Sequence, residues 1–492
     1  MLRHFWTALM VLLLAGCSMA PRYERPESPV DGGFPDYPEY RGVGAEEGEM
    51  PLLRLSPEDG WGETEKAGAE NPALGNLSWQ EFYVDQDMQK LIAFALENNR
   101  DLRLAVLNRE RIRALYQIQR GELLPAIAGV GSYANQSGPT FLPPPSPDSA
   151  ISRRYSLSVG LASYELDFFG RINSLKDAAL EGYLASAHAA HSARISLVAE
   201  VASLYLQIVA GREQYELTRN TYASRRESYD LIAAMYRQGL ASQLTVNQAR
   251  AAMEEARVNA VNIRTTVLRL ENVLALLIGG ALPPDLVIPS RLAEVRKFQD
   301  LPEGLPSWLL ERRPDILQAE HSLRSANANI GAARASFFPS ISLTASLGAI
   351  SADLDTLFDS NSRAWSFTPQ ISLPIFSGGR QVAGLEAANL QKDMAVASYE
   401  KAVQSAFREV ADALAQRSTI NEQLEATRSL QDAARQSYDI SNVRYKNGVD
   451  SFMNVLDTQR LLFSAQQAYI NSELQREINT INLYKALGGG WR

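Results

Sequence analysis

Side chains that could carry chemistry are sparse along this chain of 492 residues, with one cysteine, Cys17, and four histidines. His188 and His191 stand three apart, a spacing that puts two imidazoles on one helix face and could begin a metal site. No cysteine or suitably spaced carboxylate completes it, so a polar helix face accounts for the pair, and His321 stands alone. No Ser–His–Asp arrangement, Gly-rich phosphate loop or isolated acidic pair is legible. An enzyme is not expected, nor is a metal or other cofactor. Two carboxylates are more informative, Asp450 and Asp457, because the chain carries a second copy of their surroundings in which Ala241 and Gln248 take their places.

That duplication sets the organisation. One constant offset lays Gly170-Arg171 on Gly379-Arg380, Glu200-Val201-Ala202 on Glu409-Val410-Ala411 and Ser228-Tyr229-Asp230 on Ser437-Tyr438-Asp439. It continues without a gap through Tyr236 and Gly239 on Tyr445 and Gly448, to Gly279-Gly280 on Gly488-Gly489. Upstream a slightly longer offset pairs Asp101 with Asp315, Ala105 with Ala319 and Pro125 with Pro339. The period is far too long for a solenoid, so one fold unit occurs twice.

The elements that must position Asp450 and Asp457 follow from composition and period. From Arg171 to Arg237 and from Gln381 to Lys446 there is no proline, and strong helix formers dominate. Both runs stop at a glycine, Gly239 or Gly448, suited to the left-handed position past a helix end. Ser242 and Ser451 follow as candidate N-caps of return helices reaching Gly279 and Leu487. Shorter helices over about 98–121 and 310–335 would stack end to end with the return arms, beside one very long outbound helix of roughly 100 Å.

Between helices the period falls to two. Tyr155, Leu157, Val159 and Leu161 alternate with Ser156, Ser158 and Gly160; Ile341, Leu343, Ala345 and Leu347 alternate with Ser342, Thr344 and Ser346. Trp365, Phe367, Ile371 and Leu373 repeat the pattern, and about 126–136 completes four strands in two hairpins, with loops at 138–151 and 351–362. A soluble half-buried sheet would also alternate. Here one face is Ser, Thr, Gly and Ala, too small and polar for a core, while the other suits lipid. Four strands cannot close, since the smallest common barrels need about eight, so several chains must share one barrel.

The N-terminus is a leader. Arg3, an apolar run from Phe5 to Leu14, and Leu14-Ala15-Gly16-Cys17 have the layout of a bacterial lipoprotein signal. It implies cleavage before Cys17 and acyl chains on the new terminus, S-diacylglycerol and an N-acyl group, with Ser18 directing the product to the outer membrane. No later run is expected to be long and apolar enough for a membrane helix. Residues 18–75 read as an irregular arm lying on the rest of the protein. A net charge of −8 without a basic cluster argues against nucleic acid.

The lipobox, the duplicated strand–strand–hairpin unit and tips reading Tyr236-Arg237-Gln238-Gly239 and Tyr445-Lys446-Asn447-Gly448 together resemble the TolC/OprM family of outer-membrane efflux proteins, in its NodT-like lipoprotein subgroup. Further likeness lies in Gly448-Val449-Asp450-Ser451-Phe452-Met453, continuing to Asp457-Thr458-Gln459-Arg460, in Ile371-Ser372-Leu373-Pro374-Ile375-Phe376, and in Glu311-Arg312-Arg313-Pro314-Asp315. The resemblance implies an α+β membrane protein. A homotrimer would share a twelve-stranded β-barrel, four strands per chain, continuing into a long helical barrel. The expected layout is 1–16 leader, 17–80 lipidated arm, 81–280 first repeat, 281–307 linker and 308–489 second repeat. The arm, the linker and the C-terminal end would form an equatorial belt.

As a passive exit duct for drugs or other small toxic compounds in the outer membrane, such a trimer joins a periplasmic adaptor and an inner-membrane pump of RND type. Type I secretion, or export of metals or aromatic compounds, remains an alternative use. A lipid-anchored scaffold without a pore is the alternative outside transport. By the same resemblance Met453 and Asp457 form the periplasmic aperture and Arg460 ties neighbouring helices, while three-fold symmetry would make Asp450 a second acidic ring beside it. Arg237, Gly239, Ser242, Lys446, Gly448 and Ser451 would meet the adaptor.

Overall fold

A computed structural model describes residues 18–30, 77–137, 151–284, 286–296, 298–299 and 312–489. Cys17 and the leader, most of the 138–151 loop, and Leu310 and Glu311 lie outside the described residues. The duplication is exact in the lengths of three helix pairs. Helices α3 (Arg100–Gly121) and α6 (Pro314–Ala335) each have 22 residues. The outbound helices α4 (Arg171–Arg237) and α7 (Arg380–Lys446) each have 67. The return helices α5 (Gln243–Leu277) and α8 (Phe452–Ala486) each have 35. Two short helices, α1 (Trp79–Phe82) and α2 (Gln86–Asn98), precede them. The second short helix starts at Pro314 instead of near 310, because a proline at the first helical position gives up only an N–H that would lack a helical partner.

Among the described residues one helix, α4, holds an 18-residue window long and apolar enough to cross a membrane, against the expectation that no such run exists. Of that window 67% is buried within the protein. Val201, Ala202, Tyr205, Leu206, Ile208 and Val209 are fully enclosed there, so the apolarity serves core packing.

The chain forms two compact units. One gathers 107–188 and 317–401 with the N-terminal stretch to Glu27, and holds the sheet. Its strands β1 (Ile127–Ser137), β2 (Ile151–Leu166), β3 (Ser340–Ser351) and β4 (Arg363–Ser372) pair antiparallel in the order β1-β2-β3-β4. Register puts Ile127, Tyr133, Leu157, Val159, Leu161, Leu347, Trp365, Phe367 and Ile371 on one face. Ser132, Ser156, Ser158, Ser346, Thr344 and Ser366 share the other, where Ser132–Ser156 and Ser346–Ser366 hydroxyls bond at 2.7 Å. β2 outruns the expected Tyr155–Leu161 because the ladder shifts between Leu161 and Tyr164. One extra residue there, with Ser163 at φ 48, keeps Tyr164 and Leu166 on the apolar face; unbulged pairing would turn both inward.

The other unit gathers 28–106, 189–316 and 402–492. Phe82 at the end of α1 stacks on Tyr484 of α8 at 3.9 Å and on Phe298 at 5.4 Å. These rings bring α1, Phe298 and the end of α8 together in this unit. The arm's stretch from Met19 to Arg25 bonds instead to α6 in the first unit. The expected end-to-end stacking is present twice: Asn99 Nδ2 donates to Leu277 O at 2.7 Å where α5 ends, and its counterpart Arg313 donates to Ala486 O at 2.6 Å where α8 ends. Arg313 also binds Asp315 and Glu409 at 2.7 and 2.8 Å. Burial works against that charge, but the two carboxylates outweigh it and its pKa rises.

Candidate functional site: the two helical tips

Both helical hairpins turn on the same backbone device. At the first tip Gly239 sits at φ 76, its N–H bonds Tyr236 O at 2.9 Å, and Leu240 N reaches back to Met235 O at 2.9 Å. At the second, Gly448 sits at φ 72, with Gly448 N on Tyr445 O and Val449 N on Arg444 O, both 2.9 Å. The six-residue closure onto the last helical turn is the Schellman arrangement, and it needs the left-handed residue that glycine supplies.

Side chains then diverge. Ser242 Oγ accepts from Thr245 N at 3.1 Å and caps α5 as expected. Ser451 occupies the same extended N-cap conformation but makes no side-chain cap bond. The second tip is held across its turn by Arg444, whose Nε and Nη2 donate to Asp450 at 2.7 and 3.2 Å. That guanidinium holds the Asp450 carboxyl below its ordinary range. The first tip has Met235 and Ala241 at these positions.

Just beyond the tips the hairpins share a small core. Ile232, Ala249 and Ala252 meet Phe452, Val455 and Leu456, with Tyr229, Tyr438 and Tyr445 packed around them. Burial of this face of α8 turns the opposite face outward. Met453, Asp457 and Arg460, spaced by four and then three residues, form one stripe along it. Met453 is 44% exposed. Asp457 and Arg460 are exposed too, and pair with each other at 3.6 Å within α8. The stripe therefore presents an aliphatic group, an acid and a base on adjacent turns.

One group behind this stripe was not anticipated. Arg225 of α4, 4% exposed, donates from Nη1 to Ala252 O at 2.9 Å and Glu255 at 3.0 Å, and from Nε to Gln459 at 3.2 Å. It joins the first hairpin to the second. Burial lowers its pKa, with Glu255 opposing that shift. The counterpart of Arg225 in the other copy is Ala434, so the copy mismatch that exposed Asp450 and Asp457 would also have found it.

The tip residues Arg237, Gly239, Lys446 and Gly448 are exposed, and so are Leu240, Leu244 and Val449 at 69%, 67% and 62%. His188 and His321 lie elsewhere, in the sheet-bearing unit, and His191 falls in the other. His321 is not isolated: its Nδ1 is 2.6 Å from Glu181, and its ring stacks on His188 at 5.2 Å. Among the described residues no group of three or more His, Cys, Asp or Glu is placed to hold a metal ion.

Known proteins share this architecture. The family model described as outer membrane efflux protein matches residues 91–280 and 305–489, one block for each copy. The antibiotic efflux pump outer membrane protein ArpC of Pseudomonas putida is 44% identical over 484 residues, covering 98% of this chain and 95% of its own length. The toluene efflux pump outer membrane protein TtgC, also of Pseudomonas putida, is likewise 44% identical over 484 residues, with the same coverage. Among solved structures, the open state of the Neisseria gonorrhoeae MtrE outer membrane channel gives a TM-score of 0.81 at 35% identity, covering 97% of this chain and 99% of that one. This chain belongs to the outer membrane efflux protein family.

Proposed function

We propose that three copies of the chain assemble into one outer-membrane duct for efflux, each contributing its four strands to a twelve-stranded barrel. The observation that carries this is the sheet. One face is mainly apolar and the other mainly Ser, Thr, Gly and Ala, and β1 and β4 each leave one edge without a partner among the described residues. In a bilayer those edge N–H and C=O groups need partners, and β4 of one copy runs antiparallel to β1 of the next. The family and its outer-membrane relatives support the same location and role. The duct is passive. A periplasmic adaptor meets the exposed tips around Arg237, Gly239, Ser242, Lys446, Gly448 and Ser451, and an RND-type inner-membrane pump supplies the energy. Met453, Asp457 and Arg460 form the aperture, with Asp450 beside it, and Cys17 carries the lipid.

Relatives named for toluene and antibiotic efflux point to small apolar compounds as cargo. Purified protein should run as a trimer and produce discrete conductance steps in planar bilayers. A monomer, or a trimer that leaves the bilayer silent, refutes the duct and favours a lipid-anchored scaffold. A strain lacking the protein should become sensitive to toluene and to several antibiotics.

A further inference from the structure

The second short helix carries a side-chain programme that the first lacks. Glu320 of α6 is 3% exposed and receives Arg25 Nη2 at 2.7 Å and Nε at 3.3 Å, a two-point grip on a guanidinium. The Tyr23 hydroxyl donates to the same carboxylate at 3.3 Å. Arg324 donates to it at 2.6 Å while its guanidinium lies 4.8 Å from the centre of the Tyr23 ring. Further along, Asn327 Nδ2 donates to Pro21 O at 2.7 Å and Arg334 Nη1 to Met19 O at 3.4 Å. Between them Gly331 lets both α4 and the arm's backbone approach closely. A Cβ there would stand 2.5 Å from Ser174 Oγ, 2.7 Å from Ala20 N and 2.9 Å from Ala20 Cα.

These positions follow spacings of four and three residues, so they make one face of α6. From Glu320 to Arg334 that face spans about 21 Å at 1.5 Å per residue. The arm from Arg25 back to Met19 spans about 20 Å when extended. An extended strand running antiparallel to the helix matches it in length. At the corresponding places α3 has Val106, Glu110, Arg113, Gln117 and Arg120: the buried acid is gone, and a base has become an acid. One arm per chain thus meets one dock, although the fold is duplicated.

We propose that this face of α6 is a binding site for the chain's own Met19–Arg25 segment, with Glu320 as the positioning residue that fixes where the lipid-bearing N-terminus leaves the protein. The second half rests on the reading of Cys17 as the lipidated residue. Two steps of chain connect Cys17 to Met19, at most about 7 Å of reach. Met19 is held at Arg334, one residue before α6 ends and a short turn before β3 begins at Ser340. On that reading the acyl chains attach within this reach of Met19. A short tether keeps the strands at high effective concentration beside the bilayer.

The test uses full-length protein carrying Cys17→Ser, which removes the lipid and any role of acylation in holding the arm. Limited trypsinolysis after Arg22 and Arg25 reports the open population of the arm. The arm should stay protected in this variant. Adding Glu320→Gln should speed cleavage by about tenfold or more, as expected for losing charge-assisted bonds. Separately, Gly331→Val should speed it by steric displacement of Ala20, with Ser174 Oγ also crowded. The counterpart changes Val106→Gln and Gln117→Val should leave the rate unchanged. Rapid cleavage of the Cys17→Ser protein itself overturns the proposal, and so do equal rates with and without Glu320. Acceleration by the α3 variants to the same degree also overturns it, because general loosening would then be the cause. Palmitate labelling of the wild-type protein is scored separately. Its failure would sink the lipidation reading while leaving the dock in place.

Discussion

The two hairpin tips share one backbone and differ in how side chains hold it. Gly239 and Gly448 take the same left-handed conformation, and Leu240 and Val449 close the same turn. The first tip is then held by a neutral cap from Ser242, and the second by the Arg444–Asp450 pair with Ser451 making no cap bond. Backbone geometry is what duplication preserves, because the helix-end closure tolerates little variation. Charge is what the copies were free to change. In a trimer of such chains the backbone repeats six times around the axis and the charges only three times. In the proposed trimer, behaviour that depends on Asp450 and Asp457 therefore belongs to the second copy, and substitutions can break that contrast at several levels.

The largest effect should come from Asp457, whose counterpart is Gln248. Asp457→Ala removes an exposed carboxylate and frees Arg460 from its 3.6 Å partner. Three copies of that change in a narrow, field-focusing space should raise single-channel conductance and drug leakage by roughly twofold or more, with the trimer intact. The mirror substitution Gln248→Ala should do far less. Equal conductance in Asp457→Ala and wild type would remove Asp457 from the aperture.

Next comes Arg225, which has Ala434 as its counterpart. Arg225→Ala leaves a cavity behind the stripe and strips Gln459 of its buried donor. The expected cost is about 2–3 kcal/mol, from loss of a charged hydrogen bond together with packing. Chemical denaturation should show it, and hydrogen exchange should rise at the tip ends of both hairpins, because this guanidinium joins them. Exchange confined to α4 and α5 would mean that the Gln459 bond couples nothing.

These residues also mark how far the sequence can be read. The absence of proline over 171–237 and 381–446, with a glycine after each run, places the long helices to within a residue. Alternation locates all four strands but ends β2 early, at Leu161. The bulge at Ser163 breaks the period of two just where Tyr164 and Leu166 need to stay on the lipid face. Asp457 and Asp450 are visible as mismatches between copies. Arg225 and Arg444 are mismatches of the same kind, but a base facing an alanine or a methionine suggests chemistry less readily than an acid does. The Glu320–Arg25 contact joins residues far apart in sequence, and the arm has no periodicity, so nothing local announces its dock.

A smaller contrast lies in the caps. Ser242→Ala should cost about 1 kcal/mol, since it leaves the Thr245 N–H without its acceptor. Ser451→Ala should be close to neutral, because that hydroxyl makes no cap bond. Hydrogen exchange of the first turns of α5 and α8 distinguishes them. A similar rise in both would mean that Ser451 caps its helix after all.

The smallest effect, and the most specific to charge, is the pH response of the second tip. Arg444 lowers the folded-state pKa of Asp450. A depressed carboxyl pKa contributes stability above the unfolded value, about 3.9, and loses that contribution as pH falls through the lower folded value. Asp450→Asn should therefore lower the tip's hydrogen-exchange protection at neutral pH, and the gap between variant and wild type should close only in strongly acidic solution. High salt should narrow the gap as well, since the pair sits at the surface. The first tip, with Met235 and Ala241 in these places, has no such pair and should show neither dependence. A gap that stays constant from neutral pH into that acidic range, or a salt response shared by both tips, would mean that Asp450 holds the turn through its shape and not through its charge.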